Sequence, residues 1–127
     1  MSKHILVADR PESDRRLAEI LTGHELVFAR SLTEALRALR ERHFDLVLVG
    51  VHFDESRMFD LMREMTEGTQ VVCVRSQQFQ SPAMTLEGLE IAAKALGCTL
   101  FLDLTWYADD ETGNRAVRKL LEALLSS

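Results

Sequence analysis

Short apolar runs alternate with amphipathic stretches along the whole chain. The runs are Ile5–Ala8, Leu26–Ala29, Leu46–Val51, Val71–Val74 and Leu100–Leu104. They predict five strands, and the near-continuous apolarity of the central ones predicts a sheet covered by helices on both faces. Between the runs, apolar residues recur at helical spacing. Leu17, Ile20 and Leu21 form the first stripe, and Leu32, Leu36 and Leu39 the second. Met58, Leu61, Met62 and Met65 form the third, Leu89, Ala92, Ala93 and Leu96 the fourth, and Val117, Leu120, Leu121 and Leu124 the fifth. Strand–helix alternation of this kind is the mark of a single α/β domain with a parallel sheet, here a (βα)5 unit spanning residues 1–127.

Start and stop signals agree with the stripes. Pro11 suits a first helical turn, with Glu12 and Asp14 near the positive end of the helix dipole. Ser31 and Glu34 have the spacing of a capping box. Gly23, Gly68 and Gly97 fall where the helices should stop.

Composition narrows the function classes. Of 127 residues, 46% are hydrophobic and 28% charged, which suits a globular chain large enough to bury its own core. The net charge of -5 gives no reason to expect nucleic-acid or anionic-membrane binding. Met1–His4 leads directly into a strand too short for a signal-peptide core, and no run approaches bilayer length, so a cytoplasmic location is expected. Cys73 and Cys98 sit in apolar contexts without a CxxC motif, which predicts a buried reduced pair. His4, His24, His43 and His52 show no ligand spacing, and neither GxGxxG nor GxxxxGKS/T occurs, so no metal or cofactor is expected. The segment Gly50–Glu55 lacks both the Asp and the final Gly of the cobalamin motif Asp-x-His-x-x-Gly, and no Ser/Thr-rich loop follows strand one as in FMN binders.

Ile5-Leu6-Val7-Ala8-Asp9, Glu34-Ala35-Leu36, Phe44-Asp45-Leu46-Val47-Leu48 and Leu96-Gly97-Cys98 occur in the order and spacing of receiver domains of bacterial response regulators. From Ile5 to about Leu125 the chain resembles that CheY-like family. The resemblance implies a doubly wound, flavodoxin-like sheet of order 2-1-3-4-5. It also implies a chemistry: two acids after strand one and an acceptor aspartate after strand three hold Mg²⁺, and the acceptor attacks a phosphoryl donor. A lysine offsets charge, and a hydroxyl ending strand four reads the phosphoryl group.

Against that pattern the chain keeps one group. Asp9 matches the first acid, but Arg10 stands at the second and Gly50 at the acceptor. Arg75 falls at the hydroxyl position with Ser76 adjacent, and Leu104 falls at the lysine, followed by Thr105 and Trp106. Nucleophile, metal site and charge clamp are lost together, so the resemblance implies a pseudo-receiver without phosphotransfer. Two readings of Arg10 and Arg75 stand open: a pairing with Asp9 that replaces the metal, or solvated rim charges. A pocket built by Arg10 and Arg75 that senses a small anionic ligand, and an acceptor relocated to Asp54 or Glu55, are the alternative functions.

With chemistry absent, surface remains. Between Val74 and Gly97 the chain is longer than is usual for the family and carries Gln77–Pro82. Phe79, Phe101, Trp106 and Tyr107 are candidates for an aromatic contact patch, since such residues dominate interface energetics. Core packing is the competing reading for Phe101 and Trp106. The expectation is a protein partner in a signalling pathway, with a homodimer through the fourth-helix, fifth-strand and fifth-helix face as the self-association variant.

Overall fold

A computed structural model describes residues 2–55, 57–65, 68–76 and 85–126. The strands are β1 (His4–Ala8), β2 (Glu25–Ala29), β3 (Leu46–Gly50), β4 (Val71–Arg75) and β5 (Leu100–Asp103). All pair in parallel, in the order β2-β1-β3-β4-β5, as the resemblance implied. The helices are α1 (Asp14–Ile20), α2 (Leu32–Glu41), α3 (Met58–Arg63), α4 (Leu86–Ala95) and α5 (Glu111–Leu125).

The alternation of side chains across each strand divides the core into two layers. Ile5, Val7, Leu46, Leu48, Val72 and Val74 pack against α1 and α5 through Leu17, Ile20, Val117 and Leu121. Leu6, Ala8, Val47, Val49, Val71 and Cys73 face the other way, onto α2, α3 and α4 through Ala35, Met58, Leu61, Met62 and Leu89. Each fully buried aliphatic side chain contributes about 1.5–3 kcal/mol, so both layers are needed to hold the sheet.

Local signals set the boundaries. The Ser31 hydroxyl accepts from Glu34 N at 3.1 Å, and the Glu34 carboxylate in turn accepts from Arg30 N at 2.8 Å. Thr85 and Asp110 cap α4 and α5 by accepting from Gly88 N and Gly113 N. β5 stops one residue before the expected Leu104, because the Asp103 carboxylate accepts from Thr105 N at 2.9 Å and starts a 3-10 turn over Leu104–Trp106. β3 likewise ends at Gly50, not Val51, where the chain enters a turn closed by Phe53 N to Gly50 O at 3.0 Å. Among the described residues, no helix is long and apolar enough to cross a membrane.

Candidate functional site

The carboxyl ends of β1, β3, β4 and β5 converge on one edge of the sheet. Asp9 follows β1 and is 3% exposed. Its Oδ1 accepts from Arg10 N at 2.8 Å, while its Oδ2 is buried with no hydrogen-bond partner among the described residues. The position of this carboxyl explains Gly50. A Cβ on residue 50 would lie 1.9 Å from Asp9 Oδ1, 2.1 Å from Cγ and 2.7 Å from Oδ2. The space that a side chain at residue 50 would fill is therefore occupied by Asp9. Burial pushes the Asp9 carboxyl above the usual carboxylate range, with the Asp14 charge acting in the same direction. The Arg10 amide, the Ser13 hydroxyl and His52 pull it back only in part.

Of the two open readings, pairing of Asp9 with Arg10 or Arg75 is not found among the described residues. The Arg10 guanidinium turns outward to Glu12, with Nε 3.1 Å from Oε2 and both side chains about half exposed. Arg75 lies opposite Asp103 in the β4–β5 register and pairs with it at 2.6 Å, with side-chain exposures of 10% and 15%. The reason is geometric: residue 75 faces its ladder neighbour on β5, whereas Asp9 lies across β3. Ser76 follows β4, half-buried. Leu104 is 1% exposed and belongs to the α1/α5 layer.

Arg10 shares instead a cleft of about 440 Å³ with Pro11, Arg30, His52, Asp54 and Glu55. Among the described residues, Arg75 does not line this cleft. Arg30 was not singled out from the sequence, yet it ties the edge together. Its guanidinium makes a bidentate pair with Asp14, donates to Asp9 O at 3.1 Å and lies 5.3 Å from the Phe28 ring centroid. Asp54 and Glu55 both have positive φ, 42° and 53°. That strain is held in place because Asp54 Oδ2 accepts from Leu32 N at 2.8 Å, capping α2 from the neighbouring loop.

The aromatic candidates gather on a second surface. Phe101, Trp106 and Tyr107 line a groove of about 250 Å³ between α4, β5 and α5, with Leu86 and Leu120. Phe101 is half-buried: it lines the groove and also packs against the α2/α3/α4 layer. Trp106 is 82% exposed, which overturns core packing for that residue. Phe79 lies outside the described residues. Arg16, also missed in the sequence, fixes the loop that carries Trp106. It donates to Leu104 O at 3.0 Å, Tyr107 O at 2.8 Å, Ala108 O at 2.9 Å and Asn114 Oδ1 at 2.9 Å. Its partners lie far along the chain, so no local pattern could have revealed it.

No family model matches the sequence, and no curated protein does. Solved structures do resemble the fold. A response regulator from Thermotoga maritima aligns with TM-score 0.76 at 20% identity, covering 100% of both chains. A CheY-like receiver domain protein from Methanospirillum hungatei JF-1 aligns with TM-score 0.74 at 17% identity, covering 99% of this chain and 95% of that one. An orphan response regulator of H. pylori aligns with TM-score 0.69 at 17% identity, covering 98% and 97%. The chain has the fold of CheY-like receiver domains over its full length.

Proposed function

We propose that this chain is a pseudo-receiver, a regulatory module that works in signal transduction without being phosphorylated and acts by binding a protein partner. The observation that carries the reading is the Asp9 carboxyl lying over Gly50, within 2.7 Å of where a Cβ would stand. Gly50 offers no nucleophile, and the Asp9 carboxyl fills the space that a side chain there would take. The Arg75–Asp103 pair between the ends of β4 and β5 supports a fixed conformation at the positions where a receiver would switch. Output then rests on the α4–β5–α5 face, where Trp106 is 82% exposed beside an apolar groove. Exposed tryptophan next to a hollow is the composition of an interface anchor.

The rival readings fare less well on particular contacts. A small-anion sensor would use the cleft beside Arg10, but both arginines lining it are already engaged, Arg10 with Glu12 and Arg30 with Asp14. A relocated acceptor at Asp54 would have to release the α2 cap first.

Affinity capture from the native host, run in parallel on the wild type and Trp106→Ala, tests the proposal. The expected result is a protein captured by the wild type, lost with Trp106→Ala and indifferent to acetyl phosphate. Capture that requires acetyl phosphate, or that survives loss of Trp106, overturns it.

A further inference from the structure

β2 lies at one border of the sheet, where only β1 flanks it. Glu25 N donates to Lys3 O at 2.8 Å, and the register sets His4 beside Glu25, Leu6 beside Val27 and Ala8 beside Ala29. In a parallel ladder the backbone groups of successive residues point to alternate sides of the strand. Glu25, Val27 and Ala29 therefore turn their N–H and C=O groups to β1, and His24, Leu26, Phe28 and Arg30 turn theirs away. Both ends of that outer row are closed. His24 N donates to Leu21 O at 3.1 Å, and Arg30 N donates to the Glu34 carboxylate at 2.8 Å. Among the described residues, nothing pairs with the amide or carbonyl of Leu26 or Phe28.

Sheet borders are usually blunted by proline, lysine or a bulge. Leu26-Val27-Phe28-Ala29 contains neither residue, and it pairs with β1 residue for residue without a bulge. Phe28 is 38% exposed, and Leu26 and Val27 are half-buried. Leu26 packs onto the α1/α5 layer and Val27 onto the α2/α3/α4 layer, so alternation puts Phe28 on the same face as Leu26. This border offers an incoming strand both open backbone groups and apolar side chains.

We propose that β2 pairs with β2 of a second copy of this chain, antiparallel about a two-fold axis at Val27. The pattern of open groups selects that occupant and that register. About Val27, Leu26 stands opposite the second copy's Phe28, and Phe28 opposite its Leu26. These are the residues whose backbone groups face outward, so each pair exchanges both N–H···O bonds, while Val27 meets its own counterpart as the non-bonded pair between them. An axis at Leu26 would set Phe28 against His24, and one at Phe28 would set Leu26 against Arg30; both of those amides are already taken. The register at Val27 also sets leucine against phenylalanine on one face, once on each side of the axis, as an isologous contact requires. One sheet then runs through both copies. The Trp106 groove lies beside β5, at the opposite border, so this dimer goes beyond the proposed function and leaves that face open.

Sedimentation equilibrium from micromolar to millimolar protein tests it. The contact is one strand wide, so the expected result is a dimer that dissociates on dilution. Phe28→Lys should weaken it by about tenfold or more, because the lost apolar pair and the added charge count on both sides of the axis. Cross-linking checks the register. Val27→Cys should form an intermolecular disulfide on mild oxidation, since the Cα atoms of a non-bonded antiparallel pair lie about 4.5 Å apart. Glu25→Cys should not, because it would stand about 13 Å from its counterpart, four residues along at about 3.3 Å each. Peptide mapping identifies the linked cysteines, and circular dichroism checks that each variant folds; either the lysine variant or the cysteine pair decides alone if the other does not. A protein that stays monomeric at millimolar concentration would overturn the proposal. So would a dimer that Phe28→Lys leaves intact, or equal cross-linking at positions 25 and 27.

Discussion

Gly50→Ala places the smallest possible side chain where the Asp9 carboxyl now sits. The added Cβ would stand 1.9 Å from Asp9 Oδ1, whereas ordinary contact begins at 3.4 Å, so the carboxyl must retreat by about 1.5 Å. It is hemmed in, since Asp9 is 3% exposed and its Oδ1 holds the Arg10 amide. Overpacking of a filled site costs about 1–3 kcal/mol. Replacing a strand glycine by alanine returns about 0.5–1 kcal/mol through the unfolded chain. The net expected loss for Gly50→Ala is about 1–2 kcal/mol. Truncating the obstacle should reverse the sign: in an Asp9→Ala background, Gly50→Ala should be neutral or slightly stabilising. Urea denaturation followed by circular dichroism on the four proteins of this cycle gives a coupling of about 1–3 kcal/mol, the overpacking cost itself, if the carboxyl occupies that space. Equal effects of Gly50→Ala in both backgrounds, or none in either, would refute the reasoning.

Other substitutions probe the remaining contacts. Because burial raises the Asp9 pKa above its ordinary 3.8, the folded state holds that proton more tightly than the unfolded chain. The wild type should therefore lose stability as pH rises from about 3.8 through the raised value. Asp9→Asn should remove that component, giving a variant more stable than wild type at neutral pH with a difference that shrinks in acid; urea titrations across pH show it. Arg75→Met should cost about 3 kcal/mol by stranding the Asp103 carboxylate, and Arg75→Met with Asp103→Leu should recover most of it, read as thermal midpoints. Arg16→Ala should cost about 2–3 kcal/mol, because the carbonyls of Leu104 and Tyr107 lose a charged donor, and Trp106 fluorescence should change with it.

The strands and helices were legible because each rests on contiguous residues. Continuous apolar runs of four to six residues are too short for buried helices and read as strands covered on both sides, and the Ser31–Glu34 spacing marked the start of α2. What the sequence concealed depends on side-chain direction and on distant partners. Gly50 and Arg10 read as losses, and nothing in the chain says that Asp9 would turn its carboxyl over Gly50, or that Arg10 would turn away to Glu12. Arg75 follows the strand ladder to Asp103, and that neighbour follows from register, not from spacing. Arg16 and Arg30 act on groups that the fold brings to them. Trp106 could be read as core or surface from sequence, and it is the 3-10 turn after Asp103 that sends it outward.

The most direct test of the central claim is acetyl phosphate with Mg²⁺ added to the wild-type protein, followed by intact mass and backbone NMR. The account predicts no phosphoryl adduct and no shift of the Asp9, Gly50 or Arg75 resonances. A stable adduct on any carboxylate, Asp54 and Glu55 included, with resonance changes spreading to Trp106, would contradict it.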